Sequence, residues 1–304
     1  MFTAHRKLKT GILQMAGLPF DDRDGFIWMD GEMRPWREAK THILCHGLHY
    51  ASAVFEGERL YNGKIFKSRE HAARLIESGN ILGMKIPLCI DEIETIKQDV
   101  IKENKLTDGY IRAFAWRGSE QMAISASVTK IHVAVAAWAW GAYFDAEKRD
   151  KGITLKTAVW HRPAPDCAPV QSKAAGLYMI CTMSKHRVEA EGYDDALMLD
   201  YRGYVAEATS ANFFAVKDGV LLTPTPDCFL NGITRQTVIA LAGEMGVPVE
   251  ERHIKPDELG GFDEIFLTGT AAEVTAVGRI DDHKYTVGPV TKKLREAYET
   301  LVRS

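Results

Sequence analysis

The chain has 304 residues, of which 46% are hydrophobic and 26% are charged, with a formal net charge of -3. This size and balance suit a globular protein with room for two cores, while the small negative charge and the lack of a basic run argue against nucleic acid or an anionic membrane as the main partner. No apolar run reaches the roughly 18 residues that a membrane-spanning helix needs.

The first 25 residues carry basic side chains but lack a continuous apolar stretch and a small-residue cleavage site, so we expect an N-terminal extension rather than a secretory signal. The five cysteines are odd in number and never form a Cys-x-x-Cys pair. Free thiols of this kind are typical of a reducing cytoplasm, which is the location that we predict.

Asp-Gly or Asn-Gly pairs at 30–31, 62–63 and 218–219 each separate two segments rich in strand-forming residues. They favour two-residue hairpin turns, so the sheets are predicted to be largely antiparallel. Apolar residues at helical spacing predict helices over 68–82 and 91–105, followed by strands over 110–116 and 130–140. The charged segment 141–152 lacks periodicity, which indicates a linker.

The second half repeats this mixture of helices and strands. A helix over 174–191 precedes a meander of strands at 197–199, 204–208, 213–216 and 220–222, and further helices follow over 234–245 and from 289 to the end. The sequence therefore predicts an α+β fold. Its parts are an N-terminal extension (1–25), a small α/β domain (26–142), an interdomain loop (143–152) and a large domain (153–304).

Lys173 lies in a run of small, uncharged residues with nothing acidic nearby, at 169–178. A lysine kept away from water and carboxylates can present a neutral amine, the nucleophile that attacks an aldehyde. The aldehyde that this chemistry indicates is pyridoxal 5′-phosphate. Most lysines are solvated surface charges, so the interpretation depends on the accompanying motifs.

Two glycine turns could hold a phosphate. At 231–235 a glycine opens an apolar helix, so free backbone N–H groups, the helix dipole and the Thr234 hydroxyl would all point at an anion. At 267–273 a strand leads into a similar turn. Either motif alone is also typical of an ordinary helix cap.

Glu207 is the candidate partner for a cofactor ring. Strand alternation predicts that Val205 and Glu207 share one face, while Ala206 and Ala208 share the other. A carboxylate buried beside an apolar residue is costly unless a cation meets it, and a pyridinium N–H would serve. An exposed glutamate at a strand end is the alternative.

His42, Cys45, His46 and His49 have the spacing of metal ligands on one helical face. The segment then continues as a loop that passes into a strand, and no other Cys/His pair completes a site, so we predict no metal. A cofactor carrier or metal-binding module remains the non-enzyme alternative. Nucleophile-elbow, P-loop and dinucleotide motifs are absent, which leaves hydrolase, NTPase and dehydrogenase functions without support.

Seven motifs follow one another along the chain: HGLHY at 46–50, VFEGER at 54–59, REH with RL at 69–75, YIR at 110–112, WGAY at 140–143, GITR at 232–235 and GTAAE at 269–273. Together they resemble class IV pyridoxal phosphate enzymes, specifically branched-chain amino acid aminotransferases. The resemblance extends from about residue 26 to the C-terminus. It implies a two-domain D-amino acid aminotransferase-like fold with a C-terminal pseudo-barrel, a large domain that binds pyridoxal 5′-phosphate, and a homodimer or higher homo-oligomer.

The resemblance also implies roles for individual residues. Lys173 would form the Schiff base and shuttle the Cα proton, Tyr178 would hydrogen-bond the phenolic oxygen of the cofactor, and Glu207 would pair with its pyridine nitrogen. The other implied cofactor-binding residues are Arg74, Leu230, Ile233, Thr234 and Thr270. The implied substrate-binding residues are Tyr50, Phe55, Gly57, Arg59, Tyr110, Arg112, Trp140, Tyr143, Thr270 and Ala271. In this set, backbone N–H groups at 270 and 271 would take the α-carboxylate with Tyr110.

The expected reaction transfers the amino group of L-leucine, L-isoleucine or L-valine to 2-oxoglutarate. Arg112 would meet the second carboxylate of glutamate while its stem packs beside apolar chains. The chain departs from the family pattern at Ala113, at Glu58 and at 208–211, which bears on substrate preference. D-amino acid aminotransferases, (R)-selective amine aminotransferases and aminodeoxychorismate lyases share the fold and remain alternatives.

Overall fold

Seven strands from the first half of the chain form one antiparallel sheet in the computed structural model, which describes residues 19–141 and 146–304. The sheet has the order β2-β1-β7-β6-β4-β5, and β3 also pairs with β6. Its strands are β1 (Phe26–Met29), β2 (Glu32–Pro35), β3 (Ala53–Phe55), β4 (Glu58–Tyr61), β5 (Lys64–Ile65), β6 (Gly109–Arg117) and β7 (Ile131–Trp138).

Three helices accompany this sheet: α1 (His46–Tyr50), α2 (Ser68–Ile81) and α3 (Ile90–Glu103). A capping box between Cys89 and Glu92 starts α3, and its apolar stripe is buried against the sheet through Ile93 and Val100. The predicted helices at 68–82 and 91–105 are therefore confirmed to within two residues.

The predicted hairpin turns are also confirmed. Asp30, Asn62 and Asp218 have φ angles of 51°, 49° and 49°, and the glycine after each one is also positive in φ. Two consecutive left-handed residues match the right-handed twist of the strands that they join, which is why these turns connect β1 to β2 and β4 to β5.

The second half contains the remaining helices and strands. They are α4 (Ala146–Lys151), β8 (Ile153–Thr157), α5 (Met179–Ala190), β9 (Asp195–Leu199), β10 (Val205–Ala208), β11 (Asn212–Lys217), β12 (Val220–Thr223), α6 (Ile233–Glu244), β13 (Val249–Glu251), β14 (Glu264–Gly269), β15 (Glu273–Ile280), β16 (His283–Lys284) and α7 (Pro289–Arg303).

Strands β10, β9, β8, β15, β14 and β11 pair in that order, and β11 pairs back onto β10, so the second sheet closes into a barrel. Most pairs are antiparallel, but β8–β9, β8–β15 and β12–β13 are parallel. Side chains such as Leu155, Phe213 and Leu267 fill the interior of the barrel, while α6 and α7 pack outside on Phe214 and Phe266. The predicted α+β fold with a C-terminal pseudo-barrel is confirmed.

Local structure departs from the sequence predictions in three places. Part of the segment 143–152, predicted to be a loop, forms α4, and the predicted helix over 174–191 begins as a 3-10 turn over Ala175–Tyr178 before α5. The third departure is a bulge in β10 between Val205 and Glu207. The domain boundaries remain a prediction, and residues 1–18 of the predicted extension lie outside the described residues. Among the described helices, none combines the length and apolarity needed to cross a membrane.

Candidate active site

Lys173 lies where a segment of the second half joins the first sheet. Its backbone N–H donates to Ser78 Oγ at 3.0 Å, and its carbonyl accepts from the Phe55 N–H at 3.2 Å. The neighbouring residue Ala174 forms an isolated bridge with Val54 in β3. The lysine backbone is thus fixed from both sides, which leaves the side chain as the movable part.

The Lys173 amine points into a cleft and donates to the Tyr178 hydroxyl at 2.9 Å. Phe55 lies beside both groups, with its ring centroid 4.8 Å from that of Tyr178. All eight residues predicted to bind the cofactor line this cleft: Arg74, Lys173, Tyr178, Glu207, Leu230, Ile233, Thr234 and Thr270. They come from both halves of the chain, so the fold brings residues that are far apart in sequence together at one site.

Glu207 also lines the cleft and is 8% exposed. Burial raises its pKa to about 7, although the charges of Arg162 and Lys173 act in the opposite direction. Its Oε1 lies 3.4 Å from Arg162 Nε, and its Oε2 accepts from Asn212 Nδ2 at 3.1 Å. A carboxylate with this unmet cost of burial suits a cationic N–H group such as a pyridinium.

Val205 and Glu207 lie on opposite faces of β10, so the prediction from strand alternation is wrong on this point. A bulge between Val205 and Glu207 shifts the register of β10 against β9. Val205 consequently lies in the barrel interior, whereas Glu207 pairs with Met198 on the outer face. The bulge therefore turns the carboxylate out of the barrel and into the cleft.

One part of the cleft has the features of a phosphate site. Helix α6 begins there after Gly232, and within the described residues no side chain caps its first N–H groups. Thr268 also lines this cleft, and its buried hydroxyl has no hydrogen-bond partner in the part of the chain that the structure describes. Free N–H groups, a helix dipole and the Arg74 guanidinium together suit an anion. The cleft therefore offers groups that suit both the ring nitrogen and the phosphate of pyridoxal 5′-phosphate.

Arg162, Asn212 and Thr268 are among the cleft residues that the sequence did not predict. Arg162 and Asn212 both contact Glu207, and Asn212 also accepts from the Gly232 N–H at 3.2 Å, which joins the carboxylate to the start of α6. Thr268 pairs with Asn212 in the register of β11 and β14. These contacts depend on strand pairing, so no local motif could have revealed them.

An aromatic wall extends from Lys173 across the first sheet. The Arg112 guanidinium lies 4.6 Å from the Phe55 ring centroid and 5.5 Å from that of Tyr110. The Tyr110 and Trp140 ring centroids are 5.4 Å apart. A Cβ on Gly57 would lie only 1.8 Å from the Tyr110 hydroxyl oxygen, so only glycine permits this tyrosine position. Five of the predicted substrate residues are thus linked by direct contacts: Phe55, Gly57, Tyr110, Arg112 and Trp140.

The other predicted substrate residues occupy more varied positions. Arg59 is buried and donates to the Gly141 carbonyl at 2.9 Å, whereas Tyr50 at the end of α1 is 44% exposed. Ala271 lies with Thr270 in the half-buried turn between β14 and β15. Tyr143 lies outside the described residues.

The four candidate metal ligands do not converge on one point. Cys45 donates to the Arg117 carbonyl, His46 and His49 each bond a backbone carbonyl through Nε2, and His42 Nδ1 accepts from the backbone N–H two residues later. Each of the four side chains therefore has one polar atom bonded to backbone, while the buried Nδ1 of His46 has no hydrogen-bond partner among the described residues. The ligand-like spacing in the sequence therefore does not correspond to a metal cluster at these four residues.

The other potential ligand group in the described residues consists of Asp200, Asp227 and Cys228. Arg202 bridges its two carboxylates, at 2.6 Å from Asp200 and 2.9 Å from Asp227. His253 also contacts Asp227 at 2.9 Å. The arginine already supplies the positive charge that these carboxylates need, so the group is an internal ion-pair network.

Comparison with known proteins agrees with this geometry. The family model for amino-transferase class IV matches residues 53–280. A branched-chain-amino-acid aminotransferase of Pseudomonas aeruginosa is 43% identical over 288 residues, covering 92% of this chain and 94% of that one. The chain therefore belongs to the class IV aminotransferases.

Within that class, the chain is similar to solved structures of branched-chain amino acid aminotransferases. A T.th. branched-chain amino acid aminotransferase with pyridoxamine 5′-phosphate has a TM-score of 0.90 at 40% identity, covering 93% of this chain and 96% of that one. The same T.th. enzyme complexed with N-(5′-phosphopyridoxyl)-L-glutamate has a TM-score of 0.88 at 38% identity, covering 92% and 95%. The predicted resemblance to branched-chain amino acid aminotransferases is confirmed.

Proposed function

We propose that this chain is a pyridoxal 5′-phosphate-dependent branched-chain amino acid aminotransferase. The observation that carries the proposal is the single cleft in which a lysine amine, a buried carboxylate and an uncapped helix start occur together. These are the three groups needed for the aldehyde, the ring nitrogen and the phosphate of one cofactor. Membership of class IV agrees with the same cofactor.

When bound, pyridoxal 5′-phosphate supplies an aldehyde and an electron-accepting ring. Lys173 would hold the aldehyde and move the proton at the substrate Cα, with Tyr178 orienting its amine. Glu207 would keep a proton on the ring nitrogen. The phosphate would be held by Arg74, Ile233, Thr234 and Thr270, with Leu230 beside the ring.

The proposed amino donors are L-leucine, L-isoleucine and L-valine, and the acceptor is 2-oxoglutarate. The matched relatives carry branched-chain amino acids in their names, and one solved relative holds a glutamate adduct of the cofactor. In this chain the wall of Phe55, Tyr110 and Trp140 offers apolar contact to a branched chain. Arg112 adds one positive charge to that wall, which a second carboxylate could meet.

A homo-oligomer and a cytoplasmic location are further parts of the proposal. Exposed apolar side chains gather near α1, at Leu44 and Leu48, and at the start of α5, at Met179 and Met183. Apolar surface of this kind favours burial against another protein surface, here a second copy. All five cysteines are free in the structure, as a reducing compartment would permit.

The proposal is tested by following the two half-reactions by absorbance. Protein reconstituted with pyridoxal 5′-phosphate should absorb in the visible, lose this band with L-leucine and recover it with 2-oxoglutarate, while 4-methyl-2-oxopentanoate and glutamate accumulate. The lyase alternative predicts no recovery with 2-oxoglutarate. A protein that acquires no visible band at all would contradict the proposed function.

A further inference from the structure

A fully buried carboxylate lies directly behind the cleft. Glu56 is 0% exposed and accepts two hydrogen bonds from Arg74, Nε to Oε1 at 2.6 Å and Nη2 to Oε2 at 2.7 Å. Its Oε2 also lies 2.6 Å from Nδ1 of His71, a buried residue one turn before Arg74 on α2. Arg74 lines the cleft and Glu56 does not.

The charge state of this group follows from its partners. Burial on its own would raise the pKa of Glu56, but the charge and hydrogen bonds of Arg74, helped by His71, hold that pKa well below its usual range. Glu56 is therefore ionised at neutral pH. Its two-point contact fixes the plane of the guanidinium, and among the described residues Arg74 Nη1 has no hydrogen-bond partner.

We propose that Glu56 is a positioning residue for the phosphate anchor, that it holds Arg74 with Nη1 directed to the cleft, and that His71 fixes Glu56 in turn. The inference rests on the proposed function, since it assumes that the cleft binds pyridoxal 5′-phosphate. It assigns a purpose to the glutamate of the VFEGER motif and the histidine of the REH motif.

Glu56 has two opposing effects on phosphate binding. Its negative charge offsets the charge of Arg74 and so weakens the attraction to a phosphate. Its two hydrogen bonds, however, already hold the Arg74 side chain in one rotamer, so less side-chain entropy is lost when a phosphate binds. Arg74 borders the cleft and Glu56 does not, so the carboxylate lies further from the anion and positioning should prevail. Loss of this fixed position of Arg74 should weaken phosphate binding by about 10- to 30-fold.

The experiment compares two ligands that differ only in the phosphate. Cofactor-free wild type, Glu56→Gln and His71→Asn are titrated with pyridoxal 5′-phosphate and with pyridoxal, and binding is followed by visible absorbance. Glu56→Gln should lose about 10- to 30-fold in affinity for pyridoxal 5′-phosphate and little for pyridoxal. His71→Asn keeps a hydrogen-bond donor near Glu56 and should show a smaller loss with the same selectivity.

Glu264→Gln serves as the matched control, because Glu264 is also buried but accepts from the Val290 and Thr291 N–H groups at the start of α7. It should leave both affinities unchanged.

The positioning role would be overturned if Glu56→Gln lost affinity equally for both ligands, kept both affinities unchanged, or bound pyridoxal 5′-phosphate more tightly than wild type. If Glu56→Gln does not fold, His71→Asn decides the question by the same criterion. Failure of the wild type to bind pyridoxal 5′-phosphate would instead overturn the proposed function.

Discussion

Replacing Glu207 with glutamine should make the cofactor-free protein more stable above neutral pH. Burial raises the pKa of Glu207 to about 7 in the folded chain, against 4.5 for a free glutamate. Between these two values the folded state holds a proton that the unfolded state has released. Stability therefore falls as the pH rises through this window, because ionising the buried carboxylate has a cost that the unfolded chain avoids.

The magnitude follows from the same two pKa values. A difference between 4.5 and about 7 corresponds to about 3 kcal/mol of stability lost across the window. Protonated glutamate and glutamine are both neutral, so wild type and Glu207→Gln should be nearly equal at about pH 4, where this carboxyl is largely protonated in both the folded and the unfolded state. At about pH 8 the variant should be more stable by up to about 3 kcal/mol.

Urea unfolding of the cofactor-free proteins at these two pH values measures the difference directly. The control Glu264→Gln replaces one of the two oxygens that accept from backbone N–H groups at the start of α7 with an NH2 donor, so it should be less stable than wild type at both pH values. Parallel stability profiles for wild type and Glu207→Gln would refute the reasoning, since Glu207 would then ionise in the free site without cost. With cofactor bound, Glu207→Gln should slow proton abstraction, because a neutral amide cannot keep the ring nitrogen protonated.

Three other substitutions test the remainder of the site. Lys173→Ala should fold, as judged by circular dichroism, but its turnover should fall by more than the ~10²- to 10⁴-fold expected of a lone acid–base group. Near-normal transamination by this variant would exclude the role assigned to Lys173. Arg112→Ala should weaken the binding of glutamate and 2-oxoglutarate by about 10- to 150-fold and that of leucine much less. Equal losses, measured in the two half-reactions separately, would show that the arginine has a structural role. Gly57→Ala should displace Tyr110 and raise KM for leucine and glutamate without changing cofactor affinity. Unchanged KM values would show that the close approach of Tyr110 to Gly57 does not matter for substrate binding.

Local sequence patterns predicted the features of the fold that depend on local chemistry. The hairpin turns at Asp30, Asn62 and Asp218 are specified by two adjacent residues, and the stripe on α3 by one helix, so both could be predicted. The helix α4 could not, because its residues are charged on all sides and show no apolar period.

The same distinction between local and long-range signals applies to the residues of the site. Lys173 and the start of α6 carry their signal in a few neighbouring residues, whereas the contacts of Arg162 and Asn212 with Glu207 exist only once β10 and β11 are paired. The bulge that turns Glu207 outward also has no clear signal in the run Val-Ala-Glu-Ala, since strand periodicity there predicts the opposite face for it.

The central claim is that this class IV enzyme acts on branched-chain L-amino acids, and a screen of amino donors with 2-oxoglutarate tests it most directly. The donors should include both enantiomers of leucine and valine, D-alanine and an (R)-amine such as (R)-1-phenylethylamine. We expect the highest kcat/KM for L-leucine, L-isoleucine and L-valine, with glutamate formed in equal amount to the 2-oxo acid. Higher kcat/KM for D-alanine or for the (R)-amine would contradict the account and assign the same cleft to a different member of the class.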